Sequence, residues 1–343
     1  MNSTKNFLKK YWLFILLSLI ASFLIVFYFI NKINGIKIKS DLLSIPQPTF
    51  DFYNIKTSID FSSLEKNLQN LKKEEIVYEV KDPSLSDQEA ILIAQKFNLT
   101  DQPKVYNDQR TNNIFYEWST EEKYLSINLS TREITYQLNQ LKLKTNKNNS
   151  IPDLLDTEET AKKFLSNNQF YPPEGVSLIT KDKYYLQIGE VEFERLNSPE
   201  KANAVEVDFI YQIENKELLE AKISLIMDLD KNIIKLDYQP SFKEIKKISN
   251  YPLKTSQEIL KKLKSINFIN YFNIPNYYTT TSEIENITGI NLDKINLTYI
   301  KSQAFQSYLQ PIFFITGTAN LNDGRTAEVG IYLPAVKDEY LLQ

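Results

Sequence analysis

The chain has 343 residues, a formal net charge of −3, and neither cysteine nor histidine. Without thiols or imidazoles it has no disulfide framework, no thiol nucleophile, no Ser-His-Asp triad and no zinc site built on Cys or His. The balance of 40 basic and 43 acidic residues argues against nucleic-acid binding, and seven glycines with no G-x-G argue against a phosphate-cradling loop. We therefore expect no cofactor and no metal site.

Residues 1–10 form a short tail with three lysines, and an uncharged run of twenty residues, Tyr11 to Ile30, follows it. At about 1.5 Å per residue, a helix of this length spans roughly 30 Å, the thickness of a bilayer's hydrocarbon core. The run exceeds the apolar region of a cleavable signal, and no small-residue cleavage site follows it. The sequence therefore predicts an uncleaved signal anchor over residues 11–31, in contact with membrane lipid, rather than a buried core helix.

The orientation of this anchor depends on the charges that flank it. Three lysines precede the run and three follow it, so the positive-inside rule does not decide between the two orientations. The signal-like tail favours a cytoplasmic N terminus, which places the remaining body outside the cytoplasm. We expect a single-pass cell-membrane protein with an extracytoplasmic C-terminal body.

Residues 32–75 are typical of a stalk, because an Asn-Gly pair and two prolines favour turns and extended chain. Within this stretch, Ser62 or Ser63 is a candidate cap for a short helix with Leu64, Leu68 and Leu71 on one face. Three leucines are too few for a coiled coil, so this helix is predicted to dock onto the body.

The body then repeats one pattern, beginning with residues 76–141. A capping box, Ser86-x-x-Glu89, opens a helix, because the serine oxygen accepts a free helix N–H and the glutamate reaches back to the cap. The hydrophobic period then changes to two, which predicts an antiparallel meander with strands over residues 113–119, 124–130 and 133–138.

The same pattern occurs twice more. In residues 152–240, Asp156-x-x-Glu159 opens the helix, and in residues 251–343, Thr255-x-x-Glu258 does so. The turn at residues 322–324 (Asn-Asp-Gly) is the strongest hairpin signal in the chain. The predicted strands of these two units cover residues 184–193, 204–213, 218–229, 233–238, 297–299, 311–320 and 326–333.

These units predict an α+β fold: after one N-terminal transmembrane helix, tandem units each lay a helix across one face of an antiparallel meander. The other face of each sheet would be free for solvent, a neighbouring unit or a partner. Polar stretches at residues 142–151 and 241–251 are predicted to be linkers between the units.

The hairpins YLSINLSTREITYQL and SLIMDLDKNIIKLDY resemble those of PepSY-type domains, and YLQPIFFITGTANLNDGRTAEVGIYLP has the same layout. One span followed by tandem units of this kind resembles the membrane-anchored YycH/YycI-type regulators, which restrain a sensor kinase from outside the cell. The resemblance covers roughly Ile76 to Pro334 and implies a protein partner in the membrane or envelope. It carries no catalytic residues to this chain, and the long meander of the second unit departs from the compact pattern.

Carboxylates are the remaining candidates for chemistry. The acidic cluster Asp153, Asp156, Glu158 and Glu159 could bind Ca²⁺, but acidic residues in the first turn of a helix are explained by capping and by the helix dipole. Paired carboxylates could hydrolyse glycosides and Ser-Lys pairs could transfer acyl groups, yet nothing in the sequence brings two such groups together. We predict no catalytic residues.

Aromatic residues on the strands are the candidate partner-binding residues. Alternation along residues 113–119 places Tyr116 and Trp118 on one face, while Tyr184 and Tyr211 lie on two strands of the second unit. Exposed rings of this kind would anchor a peptide or a glycan, whereas core packing is the simpler interpretation.

The sequence thus predicts a membrane-anchored, non-catalytic binding or regulatory protein that acts on a protein partner in the membrane or envelope. The alternative is a structural or assembly factor of the cell envelope or of a secretion system. A wall hydrolase that uses two carboxylates is a third, less favoured interpretation.

Overall fold

The computed structural model describes residues 42–342, except 110, 112, 140–152, 190–192, 241, 275–280 and 302–305. One compact unit extends over Ser44–Gln343. The predicted tail (1–10), the predicted membrane anchor (11–31), the start of the predicted stalk (32–41) and the linker at 142–151 all lie outside the described residues.

Strands hold 49% of the described residues. In chain order they are β1 Ile45–Pro46, β2 Tyr53–Asn54, β3 Ile59–Asp60, β4 Glu74–Val80, β5 Lys104–Asp108, β6 Asn113–Ser119, β7 Lys123–Asn128, β8 Ile134–Leu138, β9 Ser177–Ile188, β10 Phe193–Leu196, β11 Ala204–Ile213, β12 Lys216–Asp228, β13 Ile233–Tyr238, β14 Ile245–Pro252, β15 Phe268–Ile269, β16 Tyr271–Asn273, β17 Ile287–Ile300, β18 Tyr308–Leu309, β19 Pro311–Leu321, β20 Thr326–Pro334 and β21 Leu341–Leu342.

Helices are few and short in the described part of the chain. Three α-helices are α1 Asp87–Lys96, α2 Leu154–Asn167 and α3 Ser256–Leu263. Three short 3₁₀ helices cover Glu65–Asn70, Thr281–Asn286 and Asp338–Tyr340.

One sheet of 14 strands connects most of the described chain. Its main path runs β16-β20-β19-β17-β12-β13-β8-β7-β6-β5, while β11 pairs with both β12 and β9, β10 pairs with β9, and β3 pairs with β17. Smaller sheets are formed by β14-β4-β18, by β1 with β21, and by β15 with β2.

The predicted α+β arrangement of tandem helix-plus-meander units is wrong, because the structure is mainly β. Strands of the three predicted units share one sheet: β8 pairs antiparallel with β13, and β12 pairs in parallel with β17. Joining the meanders in this way satisfies backbone N–H and C=O groups that each separate meander would leave exposed at its edges. Periodicity detects a strand but does not report which strand lies beside it.

The described residues give no support to the predicted membrane helix. The described α-helices have 10, 14 and 8 residues, well short of the roughly 20 residues that a span requires. Within the part of the chain that the structure describes, no helix has both the length and the apolar character of a membrane span. The predicted signal anchor, residues 11–31, lies outside the described residues.

Two of the three predicted capping boxes are confirmed. At the start of α1, Ser86 Oγ accepts the Glu89 N–H, while Glu89 Oε2 accepts the Ser86 N–H at 2.7 Å. Thr255 and Glu258 make the same reciprocal pair at the start of α3. Such caps are determined by neighbouring residues alone, which explains why the sequence reveals them.

The third predicted cap is wrong, because α2 begins earlier than expected. Asp153, rather than Asp156, is the N-cap, and its carboxylate accepts the Leu155 N–H at 2.8 Å. Both aspartates satisfy the local chemistry of a cap, so only packing of the added turn distinguishes them. The longer helix buries Thr157, and Ala161 on the same face.

The helices pack on two hydrophobic cores. Two helices share the first core, where Ala94 of α1 and Ala161 of α2 are buried among residues of β7, β8, β11, β12 and β13. In the second core, Ile259 of α3 packs with β17, β19 and β20, together with Leu64, which precedes the first 3₁₀ helix, and Leu68 within it. One helix for each sheet, as the sequence suggested, is therefore not the arrangement.

Candidate functional site: a cleft at a bulge in β12

A cleft of about 1020 Å³ lies where the β9-β11-β12 part of the main sheet meets the β17-β19-β20 part. Clefts of several hundred Å³ or more are the usual size of ligand-binding sites. The local course of β12 explains why the sheet opens at this place.

β12 pairs with different neighbours along its length. Its antiparallel pairing with β11 is interrupted between Ile210 and Gln212, so residues 218–221 leave that ladder. Within this bulge, Leu218 and Leu219 pair in parallel with β17 instead. One strand thus belongs to both parts of the sheet, and the cleft is the space between them.

Glu220 lies in the bulge with a φ of +59°, in the left-handed region. Non-glycine residues adopt this conformation rarely, at a cost of about 1 kcal/mol or more, and strained residues cluster at binding sites. The Glu220 side chain reaches across to β20, where its Oε1 accepts a hydrogen bond of 2.8 Å from the Tyr332 hydroxyl.

Tyr271, Phe314 and Tyr332 form an aromatic wall of the cleft. The Phe314 ring centroid lies 6.0 Å from that of Tyr271 and 5.2 Å from that of Tyr332. The Tyr271 hydroxyl donates to Glu328 Oε2 at 3.4 Å. Burial and the Glu220 carboxylate raise the pKa of Tyr332, and burial with Glu328 and Glu220 raises the pKa of Tyr271, so both hydroxyls stay protonated at neutral pH.

Charges on the cleft differ in whether they are already paired. Three basic side chains are committed to ion pairs: Lys181 with Glu217 at 2.9 Å, Arg195 with Glu206 at 2.8 Å, and Lys216 with Glu75 at 3.0 Å.

Across the described ranges, Glu220 and Glu328 have no lysine or arginine within ion-pair distance, and Lys222 and Lys294 have no carboxylate. The cleft therefore offers unpaired charges of both signs beside an aromatic surface.

The four aromatic residues singled out from the sequence lie elsewhere, and none of them lines this cleft. Trp118 is 3% exposed, and its indole N–H donates to the Asp101 carbonyl at 2.8 Å. Tyr116 packs edge-on against Trp118, with ring centroids 6.1 Å apart, so the two do share a face. Tyr211 is 3% exposed, within the first core.

Tyr184 is closer to the cleft than the other three. The guanidinium carbon of Arg195, a residue that lines the cleft, lies 3.8 Å from the Tyr184 ring centroid. A cation this close to an aromatic face is attracted by the ring quadrupole. Tyr184 therefore orients a cleft residue without lining the cleft itself.

Sequence reasoning missed Glu220 and the aromatic wall. Tyr271, Phe314 and Tyr332 come from three strands, and each by itself has the pattern of an ordinary strand residue. Their convergence depends on pairing of β19 and β20 with β17 and on the bulge in β12. No local signal marks a left-handed glutamate in the stretch ELLEAK.

The acidic cluster at the start of α2 is dispersed among separate partners. Asp153 caps the helix and Asp156 pairs with Lys231. Glu158 pairs with Lys162 at 2.6 Å and with Lys183 at 2.8 Å. Among the described residues, no group of three or more Asp, Glu, His or Cys could hold a metal ion.

Glu158 provides a pH-dependent prediction. Hydrogen bonds from Lys162, Lys183 and Thr180 lower the pKa of Glu158 from 4.5 to about 2. Because the folded-state pKa is depressed, the stabilisation by this carboxylate is present above pH 4.5 and is lost as the pH falls toward 2. We expect Glu158→Gln to lower the unfolding temperature at pH 7, and this difference from the wild type to shrink steadily between those pH values. A pH-independent difference would contradict the assignment, with Glu159→Gln as the matched control.

Comparison with known proteins identifies no family. No protein-family model and no curated protein match the chain. Among solved structures, it is similar to an uncharacterised protein from Eubacterium rectale, at 12% identity and a TM-score of 0.42, over 81% of this chain and 87% of that chain. A likeness at this score supports no conclusion about function. The resemblance to PepSY-type domains and YycH/YycI-type regulators therefore stays a prediction.

Proposed function

We propose that this chain is a non-catalytic binding or regulatory protein that holds an extended polypeptide segment of a protein partner in the β12 cleft. The observation that carries the proposal is an aromatic wall beside the strained Glu220, which has no ion-pair partner among the described residues, in a cleft of about 1020 Å³. Tyrosines are frequent anchors of protein interfaces because they combine a large apolar ring with a hydroxyl.

The chemistry of the cleft suits a polypeptide in three respects. The aromatic wall offers apolar contact to side chains, while the hydroxyls of Tyr271 and Tyr332 are held in place by Glu328 and Glu220. Charges of both signs that have no ion-pair partner among the described residues match the mixed charges of an ordinary peptide. They would fix the register in which the peptide binds and select one peptide sequence over another. The cleft volume accommodates several residues of an extended chain.

Site-specific photo-crosslinking tests this proposal in cells that express the full chain. A photoreactive amino acid replaces Lys222 or Thr318, two exposed positions that line the cleft. We expect one and the same protein adduct from both positions. The matched controls carry the photoreactive group at Leu92 or Leu155, exposed positions on α1 and α2, and should lack that adduct.

Binding measurements with the captured partner complete the test. Glu220→Gln combined with Glu328→Gln should weaken binding by at least about tenfold, since two charges that contact the site are lost. Lys163→Gln, on the exposed side of α2, should leave binding unchanged. Equal crosslinking at all four positions, or an adduct that contains glycan rather than protein, would contradict the proposal. Capture of envelope-assembly or secretion components would favour the structural alternative.

One observation favours a second candidate function, a carboxylate-dependent glycoside hydrolase. Glu220 and Glu328 contact tyrosine hydroxyls of the same aromatic wall, and paired carboxylates can cleave glycosidic bonds without histidine. If this candidate is correct, the purified chain releases reducing ends from a wall glycan, and Glu220→Gln abolishes that release. Equal glycan release by the wild type and by this variant, or none from either, would exclude it.

A further inference from the structure

A second, smaller cavity of about 100 Å³ lies in the first core region, apart from the β12 cleft. It is bounded by Arg132 in the turn after β7, by the segment that follows α2, and by the end of β13 with the residues after it. Its lining side chains include two cations, Arg132 and Lys243, and no carboxylate, and this imbalance indicates what the cavity holds.

Arg132 supplies the first donor. It occupies the turn with a φ of +57°, and its Nη2 donates to the Gln169 carbonyl at 3.3 Å. Its Nε is shielded from solvent and makes no hydrogen bond to any residue that the structure describes. The neighbouring carboxylate, Glu133, is committed to Lys301 at 2.8 Å, and within the described ranges no acidic side chain lies within ion-pair distance of Arg132.

Tyr211 supplies the second donor. Its side chain is 3% exposed, and its hydroxyl lies beside that of Tyr238 but has no well-formed hydrogen bond to any described residue. Burial, together with the nearby Tyr238, raises the pKa of Tyr211 well above its ordinary value, so the hydroxyl carries its proton at every physiological pH. A buried donor without a partner is costly and rare in folded proteins, which indicates that something else accepts this bond.

The cavity has a positive electrostatic environment. Lys243 lines the cavity and, among the described residues, pairs with the partly exposed Glu89 at 3.5 Å. Burial lowers the pKa of Lys96, and the nearby charge of Arg132 lowers it further. Three prolines in the lining, at positions 172, 173 and 240, have no N–H, so they supply no further backbone donors.

We infer that this cavity is a binding site for a small oxyanion, a carboxylate or phosphate group, which accepts hydrogen bonds from Arg132 Nε and the Tyr211 hydroxyl. A guanidinium pairs with planar or tetrahedral oxyanions through directed, charge-assisted hydrogen bonds. The volume fits one such group together with a water molecule or two. The anion is either a free metabolite group or the carboxylate or phosphate of a polypeptide that enters the mouth of the cavity beside the exposed Tyr171.

Thermal unfolding of the full chain with added anions tests this site. Inorganic phosphate and acetate are titrated at constant ionic strength against chloride, and at least one should raise the unfolding temperature in a saturable manner, since a ligand that binds only the folded state stabilises it. Tyr211→Phe, which deletes only the hydroxyl, and Arg132→Lys should each raise the apparent Kd at least tenfold. A short peptide with a free C-terminal carboxylate, compared with its amide, separates a polypeptide source from a free anion.

Two controls keep the inference falsifiable. Arg325→Lys alters an arginine outside both this cavity and the β12 cleft and should bind anions like the wild type. Tyr211→Phe should be about as stable as the wild type without anions, because the hydroxyl that it removes has no well-formed hydrogen bond to any described residue, so its loss of binding does not arise from misfolding. The inference is overturned if the anion effect is not saturable, or if it is equal in all variants, which would mean that the cavity holds water only.

Discussion

Replacing Glu75 by glutamine should lower the free energy of unfolding by about 3 kcal/mol, since breaking a buried ion pair leaves its partner uncompensated. The Glu75 side chain is 0% exposed and lies between Lys216 at 3.0 Å and Lys72 at 3.2 Å. It also accepts the Ile76 N–H at 3.1 Å. The pair with Lys216 joins β4 to the start of β12, so the loss should be visible as a lower midpoint in urea unfolding.

The same substitution should change how stability depends on pH. Burial opposes the charged form of Glu75, but hydrogen bonds from Lys216, Ile76 and Lys72 outweigh it and hold its pKa below the ordinary 4.5. Because the folded-state pKa is depressed, the contribution is present above pH 4.5 and declines as the pH falls further. The gap between wild type and Glu75→Gln should therefore narrow in acid.

Glu74→Gln is the matched control for this experiment. Glu74 precedes Glu75 on β4 and is exposed, so its replacement should change the free energy of unfolding by no more than about 0.5 kcal/mol. Equal effects of the two substitutions at pH 7 would show that the buried ion pair does not stabilise the fold.

Gly317→Ala should destabilise the chain by about 3 kcal/mol or more, because β17 and β19 approach each other too closely for a side chain. A Cβ at this position would lie 1.9 Å from the Asn291 carbonyl oxygen and 2.7 Å from the Leu292 Cα. Both are backbone atoms of the paired strand, so rotation of a side chain cannot relieve the overlap. The strands would have to separate at the bulge between Leu292 and Lys294, which lies beside the β12 cleft.

Gly289→Ala provides the comparison within the same strand pair. No described atom lies within 4 Å of a Cβ built at Gly289, so alanine should be neutral or slightly stabilising through its smaller loss of backbone entropy. Unfolding in urea measures both variants. The proposed close packing of β17 on β19 would be refuted if Gly317→Ala were as stable as Gly289→Ala.

The sequence by itself determined what depends on neighbours in the chain. The caps at Ser86 and Thr255 and the hairpin turn at residues 322–324 are set by side chains that contact the backbone two or three residues away. Hairpins such as β7-β8 were predicted at about the right positions because period-two patterns flank a short turn. The lack of cysteine and histidine likewise excluded whole classes of chemistry without any structure.

Only the tertiary structure decided which strands meet, and therefore where the candidate site lies. The pairing of β12 with β17 and of β13 with β8 joins segments far apart in the chain, and any strand edge presents the same N–H and C=O groups. The left-handed Glu220, the burial of Trp118 and Tyr211, and the convergence of Tyr271, Phe314 and Tyr332 all follow from those pairings. Local patterns specify strands, whereas the partners of each strand depend on the free energy of packing the whole chain.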